Sequence, residues 1–344
     1  MLTMLDVFES LHDLVDENLI PSRPLQALFP ILETLPLVSS VILETHLNRG
    51  RRIDLSFNLN AMDGSQERFA KLIRVVPNET ETQTKAWKFL IDCCDTLGSN
   101  DSEHPLGFSG IWVELDSDTS DSLQTPNIFL VFAPGIIKEG INSLLEMLNR
   151  LRVFGPGDLR TITHFCRSLP HNARLDQFGI MFGRKQMIKI NVSGIESGRI
   201  SDLLECVGWP GDNRRLCGLT ERLCDDKTCV EIDFDFHNGS LLPSMGFEFA
   251  YSRHARNHHL WNGLLNRMLK EGLFTLDDYN SLVPWTAAVT KTYPGSACRS
   301  HESEPVRWIC SRRLNHLKIS HSSNAVAQTK AYLSLVRVEI DQTL

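Results

Sequence analysis

The stretch Arg312-Arg313-Leu314-Asn315-His316-Leu317-Lys318-Ile319-Ser320 leads through a polar turn to Thr329-Lys330-Ala331-Tyr332-Leu333-Ser334-Leu335, and its reading decides the fold. Both arms alternate with the two-residue period of a β-strand. Leu317 and Ile319 share one side, with His316, Lys318 and Ser320 on the other. On the return arm Ala331, Leu333 and Leu335 oppose Lys330, Tyr332 and Ser334. A half-exposed sheet would carry such a pattern once. Here it recurs up the chain.

Four earlier stretches read as similar hairpins. Residues 38–47 turn at Asn48-Arg49-Gly50 into 51–60, where Ile53, Leu55, Phe57 and Leu59 oppose Arg52, Asp54, Ser56 and Asn58. Residues 107–116 and 127–133 form the second, with Ile111, Val113 and Leu115 alternating with Trp112, Glu114 and Asp116. The third spans 174–182 and 186–195, setting Ile188, Ile190 and Val192 against Lys189 and Asn191. The fourth spans 229–236 and 246–251, turning near Asn238-Gly239 and opposing Phe247 and Phe249 to Glu248 and Ala250. Helical spacing falls between them, over 4–20, 65–97 (broken near Pro77), 136–153, 156–168, 199–208, 213–225, 258–270 and 275–282. A connector rich in Gly, Ser and His, 294–304, precedes the last hairpin.

The order is therefore five helix–hairpin units, about 1–60, 61–134, 135–195, 196–251 and 252–344, within one domain of the α+β class. No βαβ crossover occurs, so a doubly wound sheet does not follow. Five hairpins, each with one apolar face, predict a ten-stranded antiparallel barrel closed on itself and surrounded by helices. The oily faces would meet the helices, and the polar faces would line a lumen filled by solvent or ligand.

Composition narrows the function. The chain of 344 residues carries 35 basic and 42 acidic side chains, which argues against a nucleic-acid surface. Its nine cysteines are scattered with no CxxC, so neither a zinc ribbon nor a disulfide scaffold is supported and a reducing, cytoplasmic setting is expected. Acidic residues at Asp6, Glu9 and Asp13 tell against a signal peptide. No run reaches the roughly 18 apolar residues that a helical membrane span needs.

With this parity the lumen holds Glu44, Arg52, Trp112, Glu114, Lys189, Glu248, His316, Lys318, Lys330 and Tyr332. Arg52, Lys189, Lys318 and Lys330 suit a diphosphate, which takes charge-assisted donors over several oxygens and is stabilised by them as a leaving group. Carboxylates and aromatic rings opposite them could hold an aromatic nucleophile and shield a carbocation.

These residues resemble the ABBA, or PT-barrel, aromatic prenyltransferases, in particular the dimethylallyltryptophan synthase branch and its bacterial indole prenyltransferases. Val41-Ile42-Leu43-Glu44-Thr45-His46 and Arg52-Ile53-Asp54-Leu55 stand where that family has a glutamate for the indole N–H and an arginine for diphosphate. Leu175-Asp176 leads to Lys189-Ile190-Asn191, keeping the lysine of the family's Lys-x-Tyr but not its tyrosine; Lys330-Ala331-Tyr332 matches that motif in full. The fourth hairpin departs, with Glu248 where a lysine or arginine is expected, and the chain has only four tyrosines.

The resemblance implies transfer of a dimethylallyl or longer prenyl group from its diphosphate to an indole-type acceptor. Glu44 would orient the acceptor, aided by Trp112 and His316. Arg52, Lys189, Lys318, Lys330 and Tyr332 would hold diphosphate, and Glu114 or Glu248 would take the proton lost on rearomatisation. No cofactor is required in this reading; magnesium is optional, and no metal ligands are assigned. The partners are two small molecules, with no nucleic acid and no membrane, for a monomer or homodimer. A peptide side chain as acceptor, or a non-catalytic barrel binding an anionic ligand, are the rival readings.

Other motifs have structural explanations. His254-x-x-x-His258-His259 lacks the glutamate of a zinc-protease helix and reads as a surface or cap feature. Asp277 reads as a first-turn acid, and Asp116, Asp118 and Asp121 as solvated loop residues. No phosphate-binding glycine loop or nucleophile elbow occurs.

Overall fold

A computed structural model describes residues 4–5, 8, 19–47, 52–74, 80–98, 108–116, 125–132, 142, 145–146, 148–149, 154–184, 187–251, 258–294, 307–322 and 325–340. Five antiparallel hairpins supply the wall: β1 (Ser40–Leu47) with β2 (Ile53–Leu59), β3 (Phe108–Leu115) with β4 (Asn127–Phe132), and β5 (Arg174–Met181) with β6 (Met187–Ser193). Then come β7 (Cys229–His237) with β8 (Ser240–Ala250), and β10 (Arg307–Ser322) with β11 (Ala325–Ile340). From β1 to β8 each strand pairs with the next, β8 pairs with β10, and β11 pairs with both β10 and β1. That last pairing closes a ring of ten strands.

Cross-strand register fixes which side chains face inward. Leu43 stands opposite Leu55, Ile111 opposite Leu130, Phe178 opposite Ile190, and Leu317 opposite both Phe249 and Ala331. All of these are fully buried against the outer layer. The intervening set, from Glu44 through Glu114 and Lys189 to Lys318, therefore points into the barrel. A one-residue slip would exchange the faces, so burial of the outer one pins the register.

The described helices are α1 (Ser22–Gln26), α2 (Phe29–Thr34), α3 (Ser65–Ile73), α4 (Glu81–Gly98), α5 (Pro156–Ser168), α6 (Ile200–Cys206), α7 (Asn213–Leu223), α8 (His258–Lys270) and α9 (Leu276–Leu282). Aromatic contacts join this jacket to the wall. Phe69 of α3 lies 5.2 Å from Phe57 of β2, and Phe165 of α5 packs edge-on against Phe234 and Phe236 of β7 at 4.9 and 5.1 Å. The β7–β8 turn has positive φ at both Asn238 (48°) and Gly239 (71°), the geometry of a tight primed hairpin turn. Gly239 also donates its N–H to Asp158 at 2.5 Å, tying the turn to the start of α5.

Three features differ from the sequence expectation. An eleventh strand, β9 (Val289–Pro294), pairs with Arg307–Arg312 of β10 just before the 294–304 connector. The last hairpin has 16-residue arms, so the first half of β10 runs past its partnership with β8 and offers β9 an edge. A bulge between Leu314 and His316 interrupts strict alternation. The expected helix over 4–20, the break at Pro77 and the helix over 136–153 lie wholly or largely outside the described residues, as do the first turn and the loop after Asp116. No helix among the described residues is long and apolar enough to cross a membrane.

Candidate active site

The lumen is charged throughout, and its charges are arranged by strand register. Lys318 and Lys330 stand directly opposite each other on β10 and β11. Like charges in that position repel. Each is stabilised by a carboxylate on its other side: Lys330 by Glu44 of β1, and Lys318 by Asp233 of β7 and by Glu248 of β8 at 2.8 Å. The glutamate where a basic residue was expected thus serves as partner to a lysine one strand away.

The same alternation of sign continues round the wall. His46 Nε2 lies 3.2 Å from Glu44 and 3.3 Å from Asp54, and Arg52 donates to Asp54 at 2.8 Å. Arg184, from the β5–β6 turn, donates to Glu114 at 2.7 Å and to Asp116, while Lys189 donates to Asp235 at 2.6 Å. Asp116 is therefore a working member of an ion-pair network rather than a solvated loop residue; Asp118 and Asp121 lie outside the described residues.

Electrostatics follow these contacts. Burial would push the Lys318 ammonium down, but Asp233 and Glu248 hold its pKa well above the usual lysine value. Burial likewise opposes ionisation of Asp233, yet Lys318, Lys189 and Asn191 bring it to about 2. Glu44 is held well below the usual range against burial by Lys330, with help from His46 and Arg184. His46 is raised, because hydrogen bonds to Asp54 and Glu44 outweigh burial. Two acids go the other way. Burial, with the charges of Glu44 and Asp116, lifts Glu114 to about 7 despite Arg184. Burial and then Glu248, Asp176 and Asp233 lift Glu231 to about 8.

A cavity of about 190 Å³ opens between these walls. Trp112, Glu114, Glu248, His316, Lys318 and Tyr332 line it, as the strand parity predicts. Glu44, Arg52, Lys189 and Lys330 also face the lumen but are drawn into ion pairs beside the cavity, not onto its surface. Sequence reading missed Arg184, Phe129, Gln177 and Glu231. Of these, Phe129, Gln177 and Glu231 share the inward parity and could have been found from it; Arg184 comes from a turn, where parity has no force. The bulge brings both Asn315 and His316 to the cavity, and His316 stacks on Tyr332 with centroids 3.8 Å apart.

Glu44, His46 and Asp54 are, among the described residues, a group whose ligand atoms lie close enough to share a metal ion. Lys330, Arg52 and a raised His46 pKa already neutralise these carboxylates, so the group fits a cation poorly. Elsewhere, His258 sits at the first position of α8 with Nδ1 bonded to Thr286, which accords with a cap feature. Asp277 is a first-turn acid of α9, as expected, and Asp278 beside it closes the capping box with Thr275.

No family model matches the chain, and no curated protein matches it in sequence. Solved structures match in shape. The apo form of prenyltransferase PriB aligns with a TM-score of 0.55 at 13% identity, over 93% of this chain and 92% of that one. 5-Dimethylallyl tryptophan synthase from Streptomyces coelicolor, in complex with DMASPP and Trp, aligns with a TM-score of 0.54 at 13% identity, over 91% and 89%. At that identity the likeness is one of architecture. The chain therefore has the PT-barrel fold of the ABBA prenyltransferases.

Proposed function

We propose that the protein transfers a prenyl group from its diphosphate to an electron-rich aromatic acceptor of indole type. The observation that carries this reading is the opposed pair Lys318 and Lys330, set beside Glu44 and an aromatic-walled cavity in a fold whose solved examples include prenyltransferases. Diphosphate oxygens take over the two ammonium groups from their carboxylates, with Arg184 within the same charge network. The C1–O bond of the prenyl diphosphate then breaks, and the diphosphate leaves with the electron pair, stabilised by the lysines. No magnesium is needed for that step.

The allylic cation is held against Trp112, Phe129 and the His316–Tyr332 stack. A ring carbon of the acceptor supplies the electron pair for the new C–C bond. The proton on that carbon passes to Glu248, a cavity-lining carboxylate released when diphosphate takes Lys318 from it, and aromaticity returns. Glu44 orients the acceptor from beside Tyr332, its register partner.

The test is incubation with dimethylallyl diphosphate and a panel of indoles, read by mass spectrometry. A prenyl mass gain with release of diphosphate, both lost in Lys330→Ala, is the expected result. Diphosphate binding without any product would instead favour a non-catalytic barrel.

A further inference from the structure

The cavity wall is not balanced like the rest of the lumen. Four carboxylates, Glu114, Glu231, Asp233 and Glu248, line it with a single lysine, Lys318. Asp233 and Glu248 share that lysine, and Glu114 has Arg184. No ion pair reaches Glu231 among the described residues. It stands opposite Glu248 across β7 and β8, carboxylate to carboxylate.

Acceptor atoms on this side also go unmet. Asn191, the hydrogen-bonding neighbour of Glu231, is only 3% exposed, and its Oδ1 has no partner. Its register partners, Gln177 and Asp233, both line the cavity. His316 Nε2 is shielded and unpartnered as well, 3.6 Å from Glu248. Burial keeps that ring from charging, and with Nδ1 donating to Asn315 Oδ1 the lone pair is on Nε2. A carboxylate without a cation, orphan acceptors and flat aromatic walls together describe the complement of a donor-rich cation.

We propose that the acceptor is a cation, an amine or guanidinium whose charged head sits between Glu231 and Glu248 while its flat portion lies along Trp112 and the His316–Tyr332 stack. This rests on the prenyl-transfer reading for the identity of the site, but not for the charge preference. In the empty cavity a proton takes the cation's place on Glu231, faced by Asp176, Asp233 and Glu248, with Lys318 behind them. Binding of the cation therefore expels that proton.

Calorimetry without prenyl diphosphate tests the charge preference alone, using tryptamine, neutral tryptophol and anionic indole-3-propionate at pH 7. Tryptamine should bind about tenfold or more tighter than tryptophol, the worth of one charge-assisted contact, with proton release seen as a buffer-dependent heat. Indole-3-propionate should bind weakest. In Glu231→Gln the tryptamine-to-tryptophol ratio should fall close to one and the proton release should vanish, with an unchanged circular dichroism spectrum as the check on folding. Equal affinities in the unmutated protein, or a preference that survives Glu231→Gln, would overturn the proposal. A capped tripeptide with a central arginine tells a peptide side chain from a free amine as the source of the cation. Charge preference without any prenylated product would break the transfer reading only, whereas equal alkylation of tryptophol and tryptamine would break the cation proposal only.

Discussion

The two ends of the lumen are built from the same residue types and behave in opposite ways. Towards the hairpin turns, Glu44, Asp54, Asp116 and Asp235 each meet a cation, and Lys330 holds Glu44 ionised against its burial. Along the cavity, Glu231 faces other carboxylates, and its proton is retained to about pH 8. Burial is common to both. What differs is whether register places a lysine or a glutamate on the neighbouring strand. Charge inside a barrel is thus a matter of pairing, and the unpaired end is where a ligand has most to offer.

The largest break in this contrast should come from Lys318, the residue that belongs to both ends. Lys318→Met leaves Asp233 and Glu248 buried without their cation, which costs about 3–5 kcal/mol when one member of a buried pair is removed. Urea unfolding at pH 7 measures it. A loss below ~1 kcal/mol would mean that solvent, not Lys318, neutralises those acids.

The pH dependence of stability sharpens the same contrast. Asp233 has its folded pKa depressed to about 2 from 3.8, so its contribution is present above pH 3.8 and is lost as the pH falls towards 2. Glu231 has its folded pKa raised from 4.5 to about 8, so stability present below 4.5 is lost as the pH rises through 8. Glu231→Gln should therefore stabilise the empty protein by on the order of 2–4 kcal/mol at pH 8.5 and leave it nearly unchanged at pH 4. Denaturation at the two values tests both signs. An equal effect at both would assign Glu231 a packing role instead.

Inorganic diphosphate should bind with proton uptake, because its charge adds to that already pressing on Glu114, whose pKa stands at about 7. Affinity should fall by about tenfold from pH 6.5 to pH 8, approaching the slope of one proton per site. Calorimetry in two buffers of different ionisation heat reads the uptake directly. A pH-independent affinity would remove Glu114 from the diphosphate network.

Much of this was legible in the sequence because the decisive signal was periodic. The alternation of Leu317, Lys318 and Ile319 survives in the structure, as does that of Ile188, Lys189 and Ile190, and that alternation alone identifies them as inward or outward. Signals that break the period were lost. The bulge at Asn315 and the extra strand β9 leave no trace in a two-residue rhythm. Ion pairing was lost for another reason: parity says which face a lysine occupies but not which residue one or two strands away will meet it. The lumen accordingly looked like four cations awaiting a diphosphate, whereas each of them is already partnered.

The smallest expected effect tests the aromatic side of the cavity, where shape and not charge is at stake. Gly179 of β5 lies between Phe129 and Lys189 in register, and a Cβ placed there would come within 2.6 Å of the Phe129 ring. The ring lies flat over a position that only glycine leaves open. In Gly179→Ala the ring must swing away, and the wall it forms gives it the cavity to swing into. Overpacking of this kind costs about 1–3 kcal/mol, so the barrel should survive. Affinity for an indole amine should nevertheless fall several-fold, because the space beside Trp112 shrinks. Equilibrium unfolding and ligand titration on the same sample separate the two effects. A stability loss with unchanged affinity would show that Phe129 yields outward along the wall, which would take it out of the acceptor's path and leave Trp112 and the His316–Tyr332 stack as the surfaces that grip the ring.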